Sequence, residues 1–181
     1  MSNKRFVVCL LLAGLFTTTV TAQDFTLSSN DISEGQQLAA AQVFQGFGCE
    51  GENISPQLSW SNAPAGTKSF VVTAYDPDAP TGSGWWHWNV VNIPADVMSL
   101  DAGAGGKNGM PEGASQLRND YGTPGFGGAC PPPGEVHRYQ FTVYALGTML
   151  ELPPQPSNAL AGFMTRANAL ASASITAVYT R

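Results

Sequence analysis

Three runs of β-branched and aromatic residues, each bounded by turn-forming residues, constrain the fold of this chain most. They are Lys68–Tyr75 (KSFVVTAY), Trp85–Ile93 (WWHWNVVNI) and Arg138–Leu146 (RYQFTVYAL). Such residues pack well on a pleated sheet, whereas a helical bundle needs many good helix formers. The chain also carries 20 Gly and 13 Pro, and only 12% of its residues are charged. We therefore expect one turn-rich β domain over residues 23–181, with 43% apolar residues in the chain from which to build a core.

The charge balance argues against a nucleic-acid partner. Eight basic residues face thirteen acidic ones, and the isoelectric point of the sequence is about 4.8. Binding a polyanion requires clustered Lys and Arg side chains that neutralise its phosphates. The sequence lacks that electrostatic footprint, and we expect no nucleic acid among its partners.

The first 22 residues have the pattern of a cleavable signal peptide. Lys4 and Arg5 form a positive start, residues 6–16 are an uncharged apolar run, and residues 20–22 (VTA) supply small residues for cleavage after Ala22. A membrane anchor is the weaker interpretation, because a spanning helix needs about 20 apolar residues. Cleavage leaves six basic and thirteen acidic residues, a formal charge of −7, and two of the three cysteines.

Cys49 and Cys130 are the two cysteines that remain after cleavage. In an oxidising compartment this pair suggests one disulfide, which would close a loop of about 80 residues. Two buried free thiols are the alternative, because cysteine is often buried and a sequence does not give the separation of two side chains. The CxxC spacing of redox enzymes and zinc knuckles is absent from the sequence.

The other segments predict the remaining elements. Phe25–Ser28 is expected to form a first short strand, and residues 96–133, rich in Gly, Pro, Asn and Ser, to form a long functional or covering loop. Ser157 is the predicted N-cap of a helix over Asn158–Ala171. A last strand is expected over Ile175–Thr180, so the fold class is mainly β with few helices.

Candidate binding residues concentrate in two stretches of the chain. Asp76, Asp78 and His87 belong to the first, and His137 and Tyr139 lie in the second, two residues apart on one face of a predicted strand. A lone histidine is usually a hydrogen-bonded core residue, but both histidines of this chain lie beside turns rich in Gly and Pro. His and Tyr can donate hydrogen bonds, and Asp can accept from an ammonium group or hold a His tautomer. We expect a shared site for a small zwitterion or a phosphomonoester.

Several ordered motifs resemble the phosphatidylethanolamine-binding protein family, also called Raf kinase inhibitor protein-like. They are residues 76–80 (DPDAP), 85–94 (WWHWNVVNIP), and 130–134 (CPPPG) leading to 137–139 (HRY). Two further segments, GFGCEG at 46–51 and GFGGAC at 125–130, are similar to the bacterial YbhB/YbcL-like branch. The resemblance covers essentially all of residues 25–181, and together with the signal peptide it implies a secreted, periplasmic protein.

The resemblance implies a large antiparallel sheet packed on a smaller one, and the residues themselves predict one C-terminal helix before a last strand. The resemblance also implies a pocket at one end of the sheet for a small anion or a phosphoethanolamine-type ligand, with no metal, cofactor or catalytic turnover. The residues that match the family's pocket positions are Asp76, Asp78, Trp85, His87, Pro132, His137 and Tyr139. Trp86 stands where animal members often carry a second histidine, and a bond between Cys49 and Cys130 would fix the wall of the pocket next to Pro132.

Three functions remain open at this stage. The favoured one is a binding protein that is not an enzyme, in which His87 and His137 donate to an anionic oxygen and Tyr139 and backbone N–H groups complete the site. Asp76 and Asp78 would orient the imidazoles or accept from an amine. The second is a metal-dependent hydrolase built on the same Asp/His cluster. The third is an inhibitor or regulator that contacts a protein partner through residues 96–133. The sequence names no such partner, and it leaves a homodimer open.

Overall fold

The computed structural model describes residues 23–106 and 109–181, and the predicted signal peptide lies outside this part. No helix within it is both long and apolar enough to span a membrane. Its elements are one α-helix, a 3-10 turn at Ala40–Gln42, and ten strands. In chain order they are β1 (Thr26–Ser28), β2 (Gln45–Gly46), β3 (Cys49–Glu50), β4 (Leu58–Ser61), β5 (Ser69–Asp76), β6 (Trp85–Pro94), β7 (Ser99–Leu100), β8 (Ser115–Gln116), β9 (Val136–Leu146), α1 (Asn158–Asn168) and β10 (Ala169–Thr180).

The strands form a large antiparallel sheet, a smaller one and a short hairpin. The large sheet has the order β10-β9-β5-β6-β8, the smaller sheet has the order β1-β4-β7, and β2 pairs with β3. All of these pairings are antiparallel. The predicted fold class, mainly β with a large sheet packed on a smaller one, is therefore confirmed.

Two apolar clusters cover the two faces of β5. Phe70 and Val72 point toward the smaller sheet, where the rings of Phe70 and Trp60 lie 5.3 Å apart. Val71, next to them in the sequence, points to the opposite face and packs in a cluster with Ala161 of α1. Successive side chains of a strand alternate between faces, so a strand covered on both sides reads as a continuous apolar run. This is why KSFVVTAY shows little alternation.

The end of α1 differs from the sequence-based expectation. The helix begins at Asn158, and the Ser157 hydroxyl accepts a hydrogen bond from the Leu160 N–H at 3.1 Å, as the N-cap prediction required. It ends at Asn168 instead of Ala171, because Ala169 already begins β10 and pairs with Leu146. The alanines favour a helix locally, but the edge of β9 offers backbone hydrogen bonds along the whole segment, and this pairing overrides the propensity.

Candidate binding site

Antiparallel pairing brings the two predicted stretches of binding residues together. The end of β5 meets the starts of β6 and β9, because β5 runs antiparallel to both strands. Asp76, the last residue of β5, pairs with Trp85, the first residue of β6. Asp76 also contacts His137, which is 61 residues away in the sequence. The site is therefore a property of one end of the large sheet.

A local irregularity of β6 orients His87. Ala74 pairs with Trp88 and the next residue, Tyr75, pairs with Trp86, so the register skips His87. The skipped residue bonds instead to Gly127: the Gly127 N–H donates to the His87 carbonyl at 2.8 Å, and the His87 Nδ1–H donates to the Gly127 carbonyl at 2.7 Å. An extra residue of this kind re-aims a side chain. Here the extra residue places the imidazole of His87 at the end of the large sheet.

A cavity of about 240 Å³ lies at this end of the sheet. Six of the seven predicted site residues line it, namely Asp76, Trp85, His87, Pro132, His137 and Tyr139. The sequence did not single out several others that also line it, which are Phe47, Ala79, Pro80, Thr81 and Tyr121. The wall is therefore mainly aromatic rings and prolines, with a few polar groups among them.

Asp78, the seventh predicted residue, is engaged outside the cavity lining. Its carboxylate accepts hydrogen bonds from the Arg138 backbone N–H at 2.9 Å, from Nε at 2.9 Å and from Nη2 at 2.7 Å. The guanidinium of Arg138 holds the pKa of the Asp78 carboxyl below its usual range. Of the two roles expected from the sequence, orienting an imidazole is therefore wrong for Asp78, because its carboxylate fixes the start of β9 to the turn after β5.

Asp76 and Glu135 occupy both ring nitrogens of His137. Nδ1 lies 2.7 Å from an Asp76 carboxylate oxygen, and Nε2 lies 3.0 Å from a Glu135 carboxylate oxygen. Burial alone would lower the pKa of His137, but the hydrogen bonds to Glu135 and Asp76 outweigh it and raise the pKa above its usual value. The imidazolium thereby compensates the buried charge of Asp76. The other oxygen of Asp76 accepts from the Asp78 and Ala79 N–H groups at 2.8 and 3.1 Å.

The pKa of His87 is shifted in the opposite direction from that of His137. His87 is 3% exposed, and burial lowers the pKa of its imidazole, although the Gly127 hydrogen bond and the Asp76 charge act the other way. Its ring lies 5.1 Å from that of Tyr139 and 5.7 Å from that of Tyr121. Burial also raises the pKa of the Tyr139 hydroxyl, so this group keeps its proton at neutral pH.

Three buried polar atoms on cavity-lining residues have no hydrogen-bond partner within the described part of the chain. They are Nε2 of His87, Nε1 of Trp85 and the hydroxyl oxygen of Tyr139. A buried polar group without a partner costs about 1–3 kcal/mol, so a cluster of three around one cavity calls for an explanation. All three residues line the same cavity, which makes it the candidate site for a polar ligand.

The disulfide predicted as one of two alternatives is formed. Cys49 in β3 is bonded to Cys130, and their Cα atoms lie 5.9 Å apart. Cys130 lines the cavity, so the bond ties the cavity wall to the β2–β3 hairpin. Arg181 adds a second connection between the same segments, because its Nε–H donates to the Pro131 carbonyl at 2.7 Å and its Nη1 donates to the Gly48 carbonyl at 2.8 Å.

The sequence-based prediction did not name two residues that contact or line the site, Tyr121 and Glu135. Tyr121 lies in the long loop, where no periodic pattern indicates the direction of a side chain; its hydroxyl donates to the Gly128 carbonyl at 2.9 Å. Glu135 could have been found, because it precedes His137 by two residues and alternation places such pairs on one side. Trp86 packs against Tyr75, with ring centroids 4.6 Å apart and ring planes tilted by 42°, and it is outside the cavity lining.

The described residues contain no group of three or more His, Cys, Asp or Glu side chains arranged to hold a metal ion. The two-His, two-Asp set considered in the sequence is also not assembled, since the Asp78 carboxylate binds Arg138. The arrangement of fold and site defines a β protein with a small, largely apolar pocket that carries unpartnered polar atoms.

Comparison with known proteins identifies the family to which this β protein belongs. The family profile described as "Phosphatidylethanolamine-binding protein" matches residues 28–180. The chain is 54% identical to the UPF0098 protein YbcL of Escherichia coli over 180 residues, 97% of this chain and 98% of YbcL. It is 55% identical to the UPF0098 protein YbhB of the same organism over 155 residues, 84% of this chain and 98% of YbhB.

The structural comparison gives the same relationship. The crystal structure of E. coli YbcL, described as a new member of the mammalian PEBP family, superimposes with a TM-score of 0.85 and 56% identity. The match covers 88% of this chain and 99% of YbcL. The chain belongs to the phosphatidylethanolamine-binding protein family, and among its relatives are YbcL and YbhB.

Proposed function

We propose that this protein binds a small anion or a phospho-head group in the cavity at the end of the large sheet. The observation that carries the proposal is the cluster of three unpartnered buried atoms on Trp85, His87 and Tyr139. Trp85 and Tyr139 offer hydrogen-bond donors, and the surrounding rings and prolines suit the organic part of a ligand. Membership of a family named for a phospholipid-type ligand supports the same conclusion.

The electrostatics of the cavity support a role for His137 that differs from direct donation to the ligand. Asp76 places a carboxylate on the wall, and an anion would be repelled by it. The imidazolium of His137, 2.7 Å from Asp76, balances this charge. His137 then offsets the repulsion between Asp76 and a bound anion. His87, Trp85 and Tyr139 are the residues that contact the anion.

The double substitution His87→Ala and His137→Ala tests the proposal. We expect calorimetry with O-phosphoethanolamine to show binding to the wild-type protein and none to the double variant. Phe163→Ala is the control, because Phe163 is 69% exposed on α1 and does not line the cavity. Binding that survives in the double variant would place the ligand site elsewhere on the protein.

The proposed activity is binding without turnover, and the metal-dependent hydrolase is the competing function. A hydrolase would need the Asp/His set to coordinate an ion, whereas Asp78 is paired with Arg138 and both nitrogens of His137 are engaged. Elemental analysis of protein purified without chelators distinguishes the two functions. A stoichiometric transition metal bound to the wild-type protein would favour the hydrolase.

We further propose that the protein acts in the periplasm and that ligand occupancy regulates a protein partner. The expected signal peptide supports the location, and N-terminal sequencing of the protein from a periplasmic fraction should begin at Gln23. A pull-down from periplasm with the wild-type protein and with the double His variant tests the regulatory role. Partners captured equally by both proteins would exclude regulation through the cavity.

A further inference from the structure

We propose that the cavity selects oxyanions that carry a hydrogen atom on a bound oxygen, such as a singly protonated phosphomonoester, over isosteric oxyanions without one. The inference rests on the proposed function and adds the chemical class of the ligand. It depends on one atom, Nε2 of His87, and on which of the two ring nitrogens bears the hydrogen.

The hydrogen bond to Gly127 decides the tautomer of His87. A backbone carbonyl can only accept, so the Nδ1 atom that lies 2.7 Å from the Gly127 carbonyl oxygen must carry the hydrogen. In the neutral ring, Nε2 then carries a lone pair and no hydrogen. Nε2 is buried and has no hydrogen-bond partner in the described part of the chain, and His87 lines the cavity. We therefore take this atom as the acceptor that a ligand in the cavity meets.

The burial of His87 favours this neutral form. The residue is 3% exposed, and burial lowers the pKa of the imidazole. The charged groups that act on it are Asp76 at the end of β5 and Asp120 in the loop after β8, and both oppose that shift. From β9 and the same loop, Tyr139 and Tyr121 face it with their rings and are uncharged at neutral pH.

A ligand must therefore match two donors and one acceptor. Nε1 of Trp85 always donates, and the Tyr139 hydroxyl donates to an anionic oxygen, whereas Nε2 of His87 requires a hydrogen from the ligand. An oxyanion without hydrogen would place a negative oxygen against the lone pair, unless the buried ring first took a proton from solvent. A phosphomonoester, with a second pKa of about 6, brings that hydrogen itself in its singly protonated form.

Methyl phosphate and methyl sulfate provide a matched test. At pH 6 the singly protonated methyl phosphate and methyl sulfate have the same charge and nearly the same shape, and they differ by one hydrogen. We expect calorimetry to show that methyl phosphate binds the wild-type protein about tenfold or more tightly, because the mismatched lone pair leaves a buried acceptor unsatisfied. At pH 8 we expect binding of methyl phosphate to take up nearly one proton, measured in two buffers of different ionisation enthalpy.

The variant His87→Gln is the matched control for the acceptor. Its side-chain amide can turn to present either N–H or C=O toward the cavity, so both ligands should bind it within about threefold, without proton uptake. Equal affinity of the two ligands for the wild-type protein, or tighter binding of methyl sulfate, would overturn the selectivity and leave the proposed function intact. If neither methyl phosphate nor methyl sulfate binds the wild-type protein, both the selectivity and the proposed function are overturned. The wild-type comparison stands alone if the variant does not fold.

Discussion

At the scale of single residues, the two histidines of the chain have opposite roles. Each ring nitrogen of His137 lies against a carboxylate oxygen, which can only accept, so both nitrogens carry hydrogen and the ring is a buried cation beside Asp76. The same contacts raise its pKa. His87 is buried with one nitrogen on a backbone carbonyl, and its pKa is lowered, so it acts as a neutral, directional group. His137 therefore provides a positive charge, and His87 provides a neutral ring whose orientation is fixed by one hydrogen bond.

The titration of the two imidazoles follows from these environments. We expect NMR spectra of the ring protons to give a pKa above about 6.5 for His137 and below it for His87. The raised value means that the His137 contacts stabilise the fold at low pH, and this stabilisation is lost as the pH rises through the folded-state pKa. The lowered value of His87 acts in reverse, and stability falls as the pH drops below about 6.5. Glu135→Gln should lower the pKa of His137, and an unchanged titration would contradict the contact.

Removing the Tyr139 hydroxyl should separate binding from stability. Within the described residues the buried oxygen has no hydrogen-bond partner other than a weak contact with the Cys130 backbone, so Tyr139→Phe deletes a poorly satisfied group. The free energy of unfolding should stay unchanged or rise slightly. Loss of a donor to the ligand should weaken O-phosphoethanolamine binding about tenfold, as measured by calorimetry. Tyr144→Phe, on the same strand but outside the cavity lining, is the matched control. A large loss of stability in Tyr139→Phe would show that the hydroxyl has a structural partner.

At the scale of elements, the site depends on the loop that follows β8 packing closely against β6. Gly127 exchanges two hydrogen bonds with His87, and it has no room for a side chain, because a Cβ atom there would overlap the ring of Tyr121. The ring of Tyr121 in turn stacks on Phe44 with centroids 3.9 Å apart. The orientation of His87 is therefore set jointly by a skipped register in β6 and by a loop without regular structure.

Gly127→Ala should disturb this contact. We expect a loss of about 1–3 kcal/mol in the free energy of unfolding, because the added methyl group must displace Tyr121 or the loop. Ligand affinity should fall with it, since the anchor of His87 moves. Gly147→Ala is the control, as a Cβ atom there would meet Leu170 only at an ordinary contact distance of 3.5 Å. Chemical denaturation of both variants measures the difference, and equal stabilities would refute the close-packing argument.

At the scale of the whole molecule, one covalent bond joins regions that are far apart in the sequence. Cys49 and Cys130 are separated by 81 residues, and the closed loop contains β4 to β8 together with much of both sheets. The same bond fixes a wall of the cavity, so global stability and the shape of the cavity share one constraint. Arg181 connects the neighbouring carbonyls of Gly48 and Pro131 non-covalently.

Removing the disulfide should lower both the free energy of unfolding and the affinity for the ligand. The chain-entropy model gives about 4–5 kcal/mol for a loop of this length, as an upper figure for the stability lost in the double variant Cys49→Ser and Cys130→Ser. We expect calorimetry to show weaker phosphate binding as well, because the wall at Pro131 and Pro132 is no longer held covalently. The reduced wild-type protein should behave in the same way. Unchanged affinity in both would make the bond purely structural.

The sequence alone determined the mainly β fold class and six of the cavity-lining residues. Strand propensity and turn residues are local properties, and family motifs fix residue positions directly, so Asp76, His87, His137 and Tyr139 could be named in advance. The pairing of Cys49 with Cys130 remained one of two alternatives, because a sequence does not give the separation of two side chains.

Only the tertiary structure decided what each of these residues does. The hydrogen-bearing nitrogen of His87 depends on Gly127, 40 residues away, and the charge on His137 depends on a carboxylate 61 residues away. The pairing of Asp78 with Arg138 and the early end of α1 at Asn168 also depend on contacts with β9. Tautomer, charge and strand boundary are set by partners that meet only when the sheet assembles, whereas residue identity and propensity are present in the chain before it folds.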